Sequence, residues 1–378
     1  MSPASRRLAE ILLVVLPTVL VGGVSLLRAL LWDPAAAQEP PPRVEEEVRV
    51  EEVLLDVLVT DPRGNVILGL DEDDFRVTED GEPVELTDAV FYSNRRFLDA
   101  AGPALPAGLD VSRVPVDRSF VLLFQDMHRV LPRLMAQQLE AGNRARRWAA
   151  TLSSNDWVAV LSYDDELLVH TDFTTDLETL ERAIDEAAAS RGASGDWPSR
   201  RPDTDGPSLL AHLPQGADLA RQTRRIQKAF EVLGDALEPI AGRKNLVFLG
   251  IGFGDLDDFG FYTPDPRYYP PMVRSLNDGN VAVYGIDLVP TAFSGRLLQS
   301  GYGSALSSLA ADTGGEYYFS FVNFLTPLEQ IDQDNNGYYL LSYRSEHPRD
   351  ATGYQEVEVE TVNPRFEVRA RRGYTIGD

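Results

Sequence analysis

The residues with the clearest potential for chemistry are an aspartate and a histidine that follow a short apolar run. Asp126 and His128 come directly after residues 120–124, Phe-Val-Leu-Leu-Phe. A carboxylate beside an imidazole can act as a general acid–base pair, but this pair lacks a nucleophile. The sequence contains neither a G-x-S-x-G nucleophile turn nor an H-E-x-x-H zinc motif. We therefore predict a protein that is not an enzyme, and a hydrolase using Asp126 and His128 is the alternative.

Two further motifs resemble ligand loops, but each lacks an essential residue. In residues 250–255, Gly-Ile-Gly-Phe-Gly-Asp, Asp255 stands where a dinucleotide loop needs its third glycine, and we expect no helix behind it because four prolines lie within residues 264–271. Residues 332–337, Asp-Gln-Asp-Asn-Asn-Gly, match the first half of a calcium loop, but Tyr343 replaces the glutamate at the twelfth position. We interpret this second motif as a helix end that leads into a strand.

The elements that must position these residues follow from the hydrophobic pattern. Short apolar runs typical of buried strands cover residues 120–124, 157–161, 246–249 and 281–286. Helical stretches lie between them, and one helix is predicted from Leu219 to Ile240, where apolar residues recur every three or four positions. This alternation predicts a doubly wound, mostly parallel sheet over residues 115–336. Ligands bind such a sheet at the carboxyl ends of its strands.

The segments on either side of the α/β region indicate β-structure. Residues 44–98 and 337–376 contain alternating apolar residues separated by turn-forming Pro, Gly, Asn and Asp. Each segment has too few strands to bury a sheet face alone. We therefore predict that the second segment completes the module begun by the first, a β-sandwich into which the α/β domain is inserted.

The amino terminus predicts export. Basic residues precede an apolar run over residues 11–27, and three alanines ending at Ala37 supply the small side chains that a signal peptidase recognises. We predict a signal peptide or membrane anchor over residues 1–37, cleaved after Ala37, and a Pro-rich linker over residues 38–43. The cleaved protein would be secreted or periplasmic. The alternative is an uncleaved anchor that leaves the protein facing outside.

Composition narrows the classes of partner. The 378 residues include 59 acidic and 35 basic side chains, for a formal net charge of −24. This balance argues against a nucleic-acid partner, because phosphate binding depends on clustered Lys and Arg. The chain has no cysteine, which excludes disulfides and zinc–thiolate sites. We expect the partner to be another protein of the cell envelope or exterior, with membrane contact only through an uncleaved N-terminal segment.

The order of several short motifs resembles a known family. They include residues 57–64 (Val-Leu-Val-Thr-Asp-Pro-Arg-Gly), 156–160 (Asp-Trp-Val-Ala-Val), 172–176 (Asp-Phe-Thr-Thr-Asp), 242–247 (Gly-Arg-Lys-Asn-Leu-Val), 309–315 (Leu-Ala-Ala-Asp-Thr-Gly-Gly) and 369–374 (Arg-Ala-Arg-Arg-Gly-Tyr). In this order they are similar to bacterial secreted proteins with a von Willebrand factor type A-related domain, a group common in Acidobacteria-type genomes. The resemblance implies a six-stranded, mostly parallel sheet between helices.

The resemblance also implies a metal-ion-dependent adhesion site of which most is missing. The family's site needs an Asp-x-Ser-x-Ser turn, a threonine from a later loop and a second aspartate, because Mg²⁺ prefers six oxygen ligands. Asp126 matches the first aspartate. The two serine positions are His128 and Val130, and the position of the second aspartate is Ile251.

The remaining candidates for a metal are few. Thr204 or Ser208 would take the threonine position, and Asp255 or His128 would compensate for the lost donors. The predicted set is therefore Asp126, His128, Ser208 and Asp255. Since one anchored carboxylate is a poor Mg²⁺ site, we expect no cofactor, with magnesium as the alternative. Without a metal, Asp126 would cap a turn or pair with Arg129.

These observations lead to a hypothesis about function. We predict an exported protein that binds another protein through the loops at the carboxyl edge of the sheet, without the usual Mg²⁺-dependent contact. Metal-dependent adhesion through a rearranged site at Asp126 is the alternative within the family. Loop aromatic residues such as Tyr262, Tyr268 and Tyr269 would either form the binding surface or pin the loops to the domain.

Overall fold

The computed structural model describes residues 48–93, 117–126, 134–192, 206–254, 256–258, 262–289, 296–319, 323–348 and 351–377. The predictions for residues 1–43 lie outside these ranges. Within them, no helix combines the length and the apolar character that a membrane span requires.

Strands and helices alternate in the centre of the described residues. The flanking segments form strands and one 3-10 helical turn, at Glu72–Asp74. The strands are β1 (Val48–Thr60), β2 (Phe75–Glu79), β3 (Glu82–Val84), β4 (Leu86–Ser93), β5 (Arg118–Gln125), β6 (Asp156–Tyr163), β7 (Leu167–Thr174), β8 (Lys244–Gly250), β9 (Val281–Asp287), β10 (Tyr317–Tyr318), β11 (Gly337–Pro348), β12 (Gly353–Thr361), β13 (Glu367–Arg369) and β14 (Gly373–Ile376). The helices are α1 (Met135–Ala149), α2 (Leu177–Ala188), α3 (Ala217–Gln222), α4 (Ile226–Leu237), α5 (Tyr269–Asp278), α6 (Arg296–Asp312) and α7 (Leu325–Asp334).

The central domain is a six-stranded sheet with helices on both faces. Its strand order is β10-β9-β8-β5-β6-β7, and every pairing is parallel except that of β6 with β7. Every residue of β5, β8 and β9 is buried, because α1, α2 and α7 cover one face and α3 to α6 cover the other. The prediction of a doubly wound, mostly parallel, six-stranded sheet is confirmed.

The helix predicted from Leu219 to Ile240 is interrupted, so that prediction is wrong in its middle. α3 ends before Thr223, whose hydroxyl donates to the Leu219 carbonyl at 2.8 Å and accepts from the Leu167 amide at 3.0 Å. A threonine hydroxyl that bonds to the main chain offers the backbone an alternative to the helical ladder. The apolar stripe therefore continues into α4 although the helix does not.

The expectation that no helix follows the glycine loop is also wrong. α5 begins at Tyr269 and takes Pro270 and Pro271 into its first turn. The first N–H groups of a helix have no acceptor within it, so proline loses nothing there, and its fixed φ suits the helix. By contrast, residues 332–337 do form the end of α7 and the start of β11, as predicted.

Strands from both ends of the chain form a two-sheet β-sandwich. One sheet has the order β13-β1-β11-β4 and the other β14-β12-β2-β3. β1 pairs with β11 and β2 pairs with β12, both antiparallel. Each sheet therefore contains strands from both flanking segments, which confirms the predicted β-sandwich-like module. The residue boundaries proposed for the domains stay a prediction.

A carboxylate lies among hydroxyl groups within this sandwich and joins three of its strands. Glu79 of β2 accepts hydrogen bonds from the hydroxyls of Tyr343 at 2.6 Å, Tyr374 at 2.9 Å and Ser345 at 2.5 Å. His347 Nε2 lies 3.3 Å from the same carboxylate. Burial raises the pKa of Tyr374 to about 12, and the carboxylate adds to that rise. The cluster links β2 and β14, from opposite ends of the chain, through β11.

The inserted domain rests on the sandwich at the amino ends of its central strands. Asn280, which precedes β9, donates to the carboxylate of Asp56 on β1 at 2.7 Å. Arg371 donates to the carbonyl of Asn277 at 2.9 Å and to that of Leu54 at 3.0 Å. Because parallel strands share their direction, the carboxyl ends of β5, β8 and β9 lie at the opposite edge of the sheet.

Candidate functional site

The candidate site lies at the carboxyl edge of the six-stranded sheet, where β5 ends. Asp126 follows β5, and its backbone N–H donates to the Tyr163 carbonyl at 2.9 Å, which extends the ladder to β6. Its carboxylate accepts a hydrogen bond from Ser190 Oγ at 2.5 Å. Gln138 of α1 donates to that same hydroxyl at 3.3 Å. The Asp126 side chain therefore ties the end of β5 to the end of α2.

The neighbouring strand end, β8, presents an apolar side chain instead of an oxygen donor. Ile251 is 5% exposed and packs with Leu134 and Val289 in a small apolar cluster. The Gln125 side chain closes the gap between the two strand ends, since its Oε1 accepts from the Ile251 amide at 2.9 Å and its Nε2 donates to the Gly252 carbonyl at 3.0 Å. Mg²⁺ needs several oxygen ligands, and these residues do not fit it.

Asp126 and Ser208, the two members of the predicted metal set that the structure describes, bond to different residues. Ser208 Oγ donates to Asp172 Oδ2 at 2.7 Å, and Asp172 Oδ1 accepts from the Leu209 amide at 2.7 Å. Asp172 on β7 thus caps the turn that begins at Ser208, while Asp126 bonds to Ser190. Over the described ranges, no group of three or more His, Cys, Asp or Glu side chains could hold a metal ion.

Several residues that the sequence singles out lie outside the described part of the chain. These are His128, Arg129, Val130, Thr204 and Asp255. The proposed ligand set of Asp126, His128, Ser208 and Asp255 therefore stays a prediction.

A second polar group, which the sequence does not reveal, lies on the α1–α2 face of the sheet. Ser162 Oγ and His170 Nε2 are 2.8 Å apart, and His170 Nδ1 lies 3.7 Å from Glu186 Oε2. This is the order of a nucleophile, a base and an acid, but Ser162 is 5% exposed and the His170 side chain is wholly buried. Burial lowers the pKa of His170, against Glu186, which raises it. The group joins β6, β7 and α2 inside the domain.

The aromatic residues that follow the glycine loop mostly pack into the domain. Tyr269 is 9% exposed, and its hydroxyl donates to Asp312 at 2.7 Å. Tyr262 contacts Tyr269 edge to face with 6.3 Å between ring centroids. These two residues pin the loop, which is one of the two predicted roles. Tyr268 is half-buried and lies under the guanidinium of Arg225, 4.7 Å from its ring centroid.

No family model matches the sequence, and no curated protein matches it. Similar solved structures include the von Willebrand factor domain of the type V pili tip protein Mfa5 from Porphyromonas gingivalis, at 12% identity, 59% of this chain, 96% of that chain and a TM-score of 0.38. A von Willebrand factor type A protein from Catenulispora acidiphila is similar at 8% identity, 86% of this chain, 74% of that chain and a TM-score of 0.35.

Proximal thread matrix protein 1 from the mussel byssus is similar at 11% identity over 57% of this chain, with a TM-score of 0.37. The match covers 48% of the mussel chain, so this protein spans about half its length. With all three TM-scores below 0.5, these likenesses carry no argument about what this chain binds.

Proposed function

We propose that this chain is an exported, non-enzymatic protein that binds another protein of the cell envelope or exterior. In this proposal the contact is made by the loops at the carboxyl edge of the six-stranded sheet and does not depend on Mg²⁺. The observation that carries the metal independence is the closed edge between β5 and β8. There Ile251 packs in an apolar cluster and the Gln125 side chain bonds to the Ile251 amide and the Gly252 carbonyl, so neither side chain is available as an oxygen ligand.

The position of the edge supports the choice of binding surface. The domain is attached to the sandwich at the amino ends of β8 and β9, through contacts of Asn280 and Arg371. The opposite edge is where doubly wound sheets take their ligands. Half-buried Tyr268, held by the Arg225 guanidinium, supplies an aromatic side chain of the kind enriched at binding hot spots.

Export is part of the proposal because of the N-terminal sequence. Basic residues, an apolar run over residues 11–27 and three alanines ending at Ala37 follow the order of a secretory signal. Two alternative functions would both use Asp126. One is metal-dependent adhesion through a rearranged site, and the other is a hydrolase that also uses His128.

Metal independence is tested first by thermal unfolding of the full chain in 10 mM MgCl₂ and in EDTA. If the folded protein bound Mg²⁺ with a dissociation constant of about 10 µM, 10 mM MgCl₂ would stabilise it against unfolding by about 4 kcal/mol. We expect the two unfolding temperatures to agree. A rise with Mg²⁺ that the Asp126→Ala variant loses would establish the metal-dependent rival.

Partner binding is then tested by capture from an envelope extract, with and without EDTA. We expect the same protein to be captured in both buffers, and to be lost with Tyr268→Ser but not with Leu68→Ser. Leu68 is a matched control because it is 54% exposed and lies between β1 and β2 of the sandwich. Loss of capture in EDTA would reject the proposal, and so would ester or peptide hydrolysis that Asp126→Ala abolishes.

A further inference from the structure

The six-stranded sheet ends laterally in a short strand whose outer main-chain groups point away from the sheet. β10 pairs with β9 alone, and the Glu316 carbonyl accepts from the Gly285 amide at 2.8 Å on that side. Main-chain groups of successive strand residues point to opposite sides, so those of Tyr317 point outward. Among the described residues they have no main-chain partner. An exposed strand edge of this kind is a template for pairing with another chain.

One face of this edge carries an uncharged, aromatic cavity. Its volume is about 380 Å³, and its lining consists of Gly303, Ser304, Ser307, Ser308, Tyr317 and Phe319. This lies at the lower end of the range of ligand pockets, about 300–1,000 Å³. The rings of Tyr317 and Phe319 stack with centroids 6.4 Å apart, and Phe319 is 41% exposed. The Tyr317 hydroxyl donates to buried Asp287 at 2.7 Å, which holds the ring in place. Such a cavity suits a flat apolar side chain.

The other face of the edge carries a charged cavity of about 450 Å³, between β10, α7 and the turn after β1. Its lining includes Glu316, Glu367, Arg63 and Arg369. Arg369 already pairs with Glu316 and, at 2.9 Å, with Asp334. Burial raises the pKa of Glu316 against the effect of Arg369, and the nearby carboxylates of Asp334 and Glu367 raise it further. The lining thus holds two carboxylates and two guanidinium groups. Because Arg369 is paired with Glu316, the exposed Glu367 is the carboxylate that complements a basic side chain.

We propose that β10 is a docking edge for an extended segment of a partner protein, which adds as a strand beside Tyr317 and Phe319. Side chains of successive strand residues point to opposite faces. The segment therefore carries an apolar, preferably aromatic, residue for the cavity beside α6 and an adjacent Lys or Arg for the cavity beside α7. Main-chain hydrogen bonds supply affinity and the two cavities supply specificity. This surface is the lateral edge of the sheet, separate from the loops at its carboxyl edge.

The test uses the full chain and a labelled, capped hexapeptide, Thr-Thr-Phe-Lys-Thr-Thr, with fluorescence anisotropy as the readout. Two further versions carry N-methyl groups on alternate amides, one on each set. Only one set faces β10 in a paired strand, so we expect one version to lose at least about tenfold in affinity and the other to bind as well as the parent. Equal binding by both versions, or no binding of the parent, would overturn the proposal.

Variants of the protein test the two cavities separately. Phe319→Ser should weaken binding at least about tenfold, as expected for loss of an aromatic anchor. Leu177→Ser is its matched control, because Leu177 is also 41% exposed but lies on α2. Glu367→Lys should weaken the Lys peptide and favour a peptide with Glu in its place. If Phe319→Ser behaves like Leu177→Ser, or if Glu367→Lys leaves the preference unchanged, the assignment is wrong.

Discussion

Replacing Glu79 by Gln tests the polar cluster that joins the two ends of the chain. The carboxylate accepts hydrogen bonds from Tyr343, Ser345 and Tyr374, and its side chain is only 10% exposed. A hydrogen bond to a charged group contributes about 1.5–3 kcal/mol, and one between neutral groups about 0.5–1.5 kcal/mol. The loss is therefore about 1 kcal/mol for each of the three bonds, and we expect Glu79→Gln to cost about 2–4 kcal/mol in the free energy of unfolding.

The assay is guanidinium-induced unfolding followed by circular dichroism, with calorimetry beside it. For a chain of this size the expected loss lowers the unfolding temperature by about 4–10 °C. Glu82→Gln is the matched control, since Glu82 lies across the same hairpin and is exposed. A difference between the two variants of less than about 0.5 kcal/mol, the usual range of surface substitutions, would refute the reasoning.

Two further predictions concern the inserted domain. Burial lowers the pKa of His170 in the folded protein, although the nearby Glu186 raises it. The unfolded chain therefore binds a proton at His170 more readily than the folded one. The neutral, buried His170 contributes to stability above about pH 6.5, and this contribution is lost as the pH falls towards the pKa of the folded state. The free energy of unfolding should drop between pH 7.5 and pH 5 more steeply in the wild type than in His170→Asn, and parallel curves would contradict this. Gly234→Ala would place a Cβ 2.5 Å from the Ser275 carbonyl carbon of α5, which should cost about 1–3 kcal/mol by overpacking. Gly192→Ala, where no described residue lies within 4 Å of the added Cβ, should be close to neutral. Equal denaturation midpoints for the two glycine variants would contradict the overpacking argument.

Much of the fold follows from the sequence because burial leaves a plain pattern. The four central strands are continuous apolar runs, and β5, β8 and β9 are buried along their whole length. β7 and β10 leave no such run. β7 is an antiparallel edge strand that mixes apolar residues with His170, Thr171 and Asp172, and β10 has two residues that become a strand only by pairing with β9. Their strand character comes from the neighbouring strand.

The candidate site was predictable at single positions but not in its contacts. Ile251 in place of an oxygen donor can be read from the sequence once the resemblance is known. Asp126 bonds to Ser190, 64 residues away, and Gln125 meets Ile251 across 126 residues. No local motif encodes such pairs, because they arise from the packing of α2 and of the loop after β8 against β5. The same holds for Ser162, His170 and Glu186.

The pairing of β1 with β11 also sets an order of assembly. During synthesis Val53 emerges long before Tyr343, the residue it faces across the ladder, and chains generally fold in units as they are made. The inserted domain has all its strands once α7 is complete, whereas the sandwich still lacks β11 to β14. Pairings that join distant segments are slow to form. Closure of the sandwich around its own termini is therefore the last step, and until then β1 offers two open edges to any chaperone that can hold them.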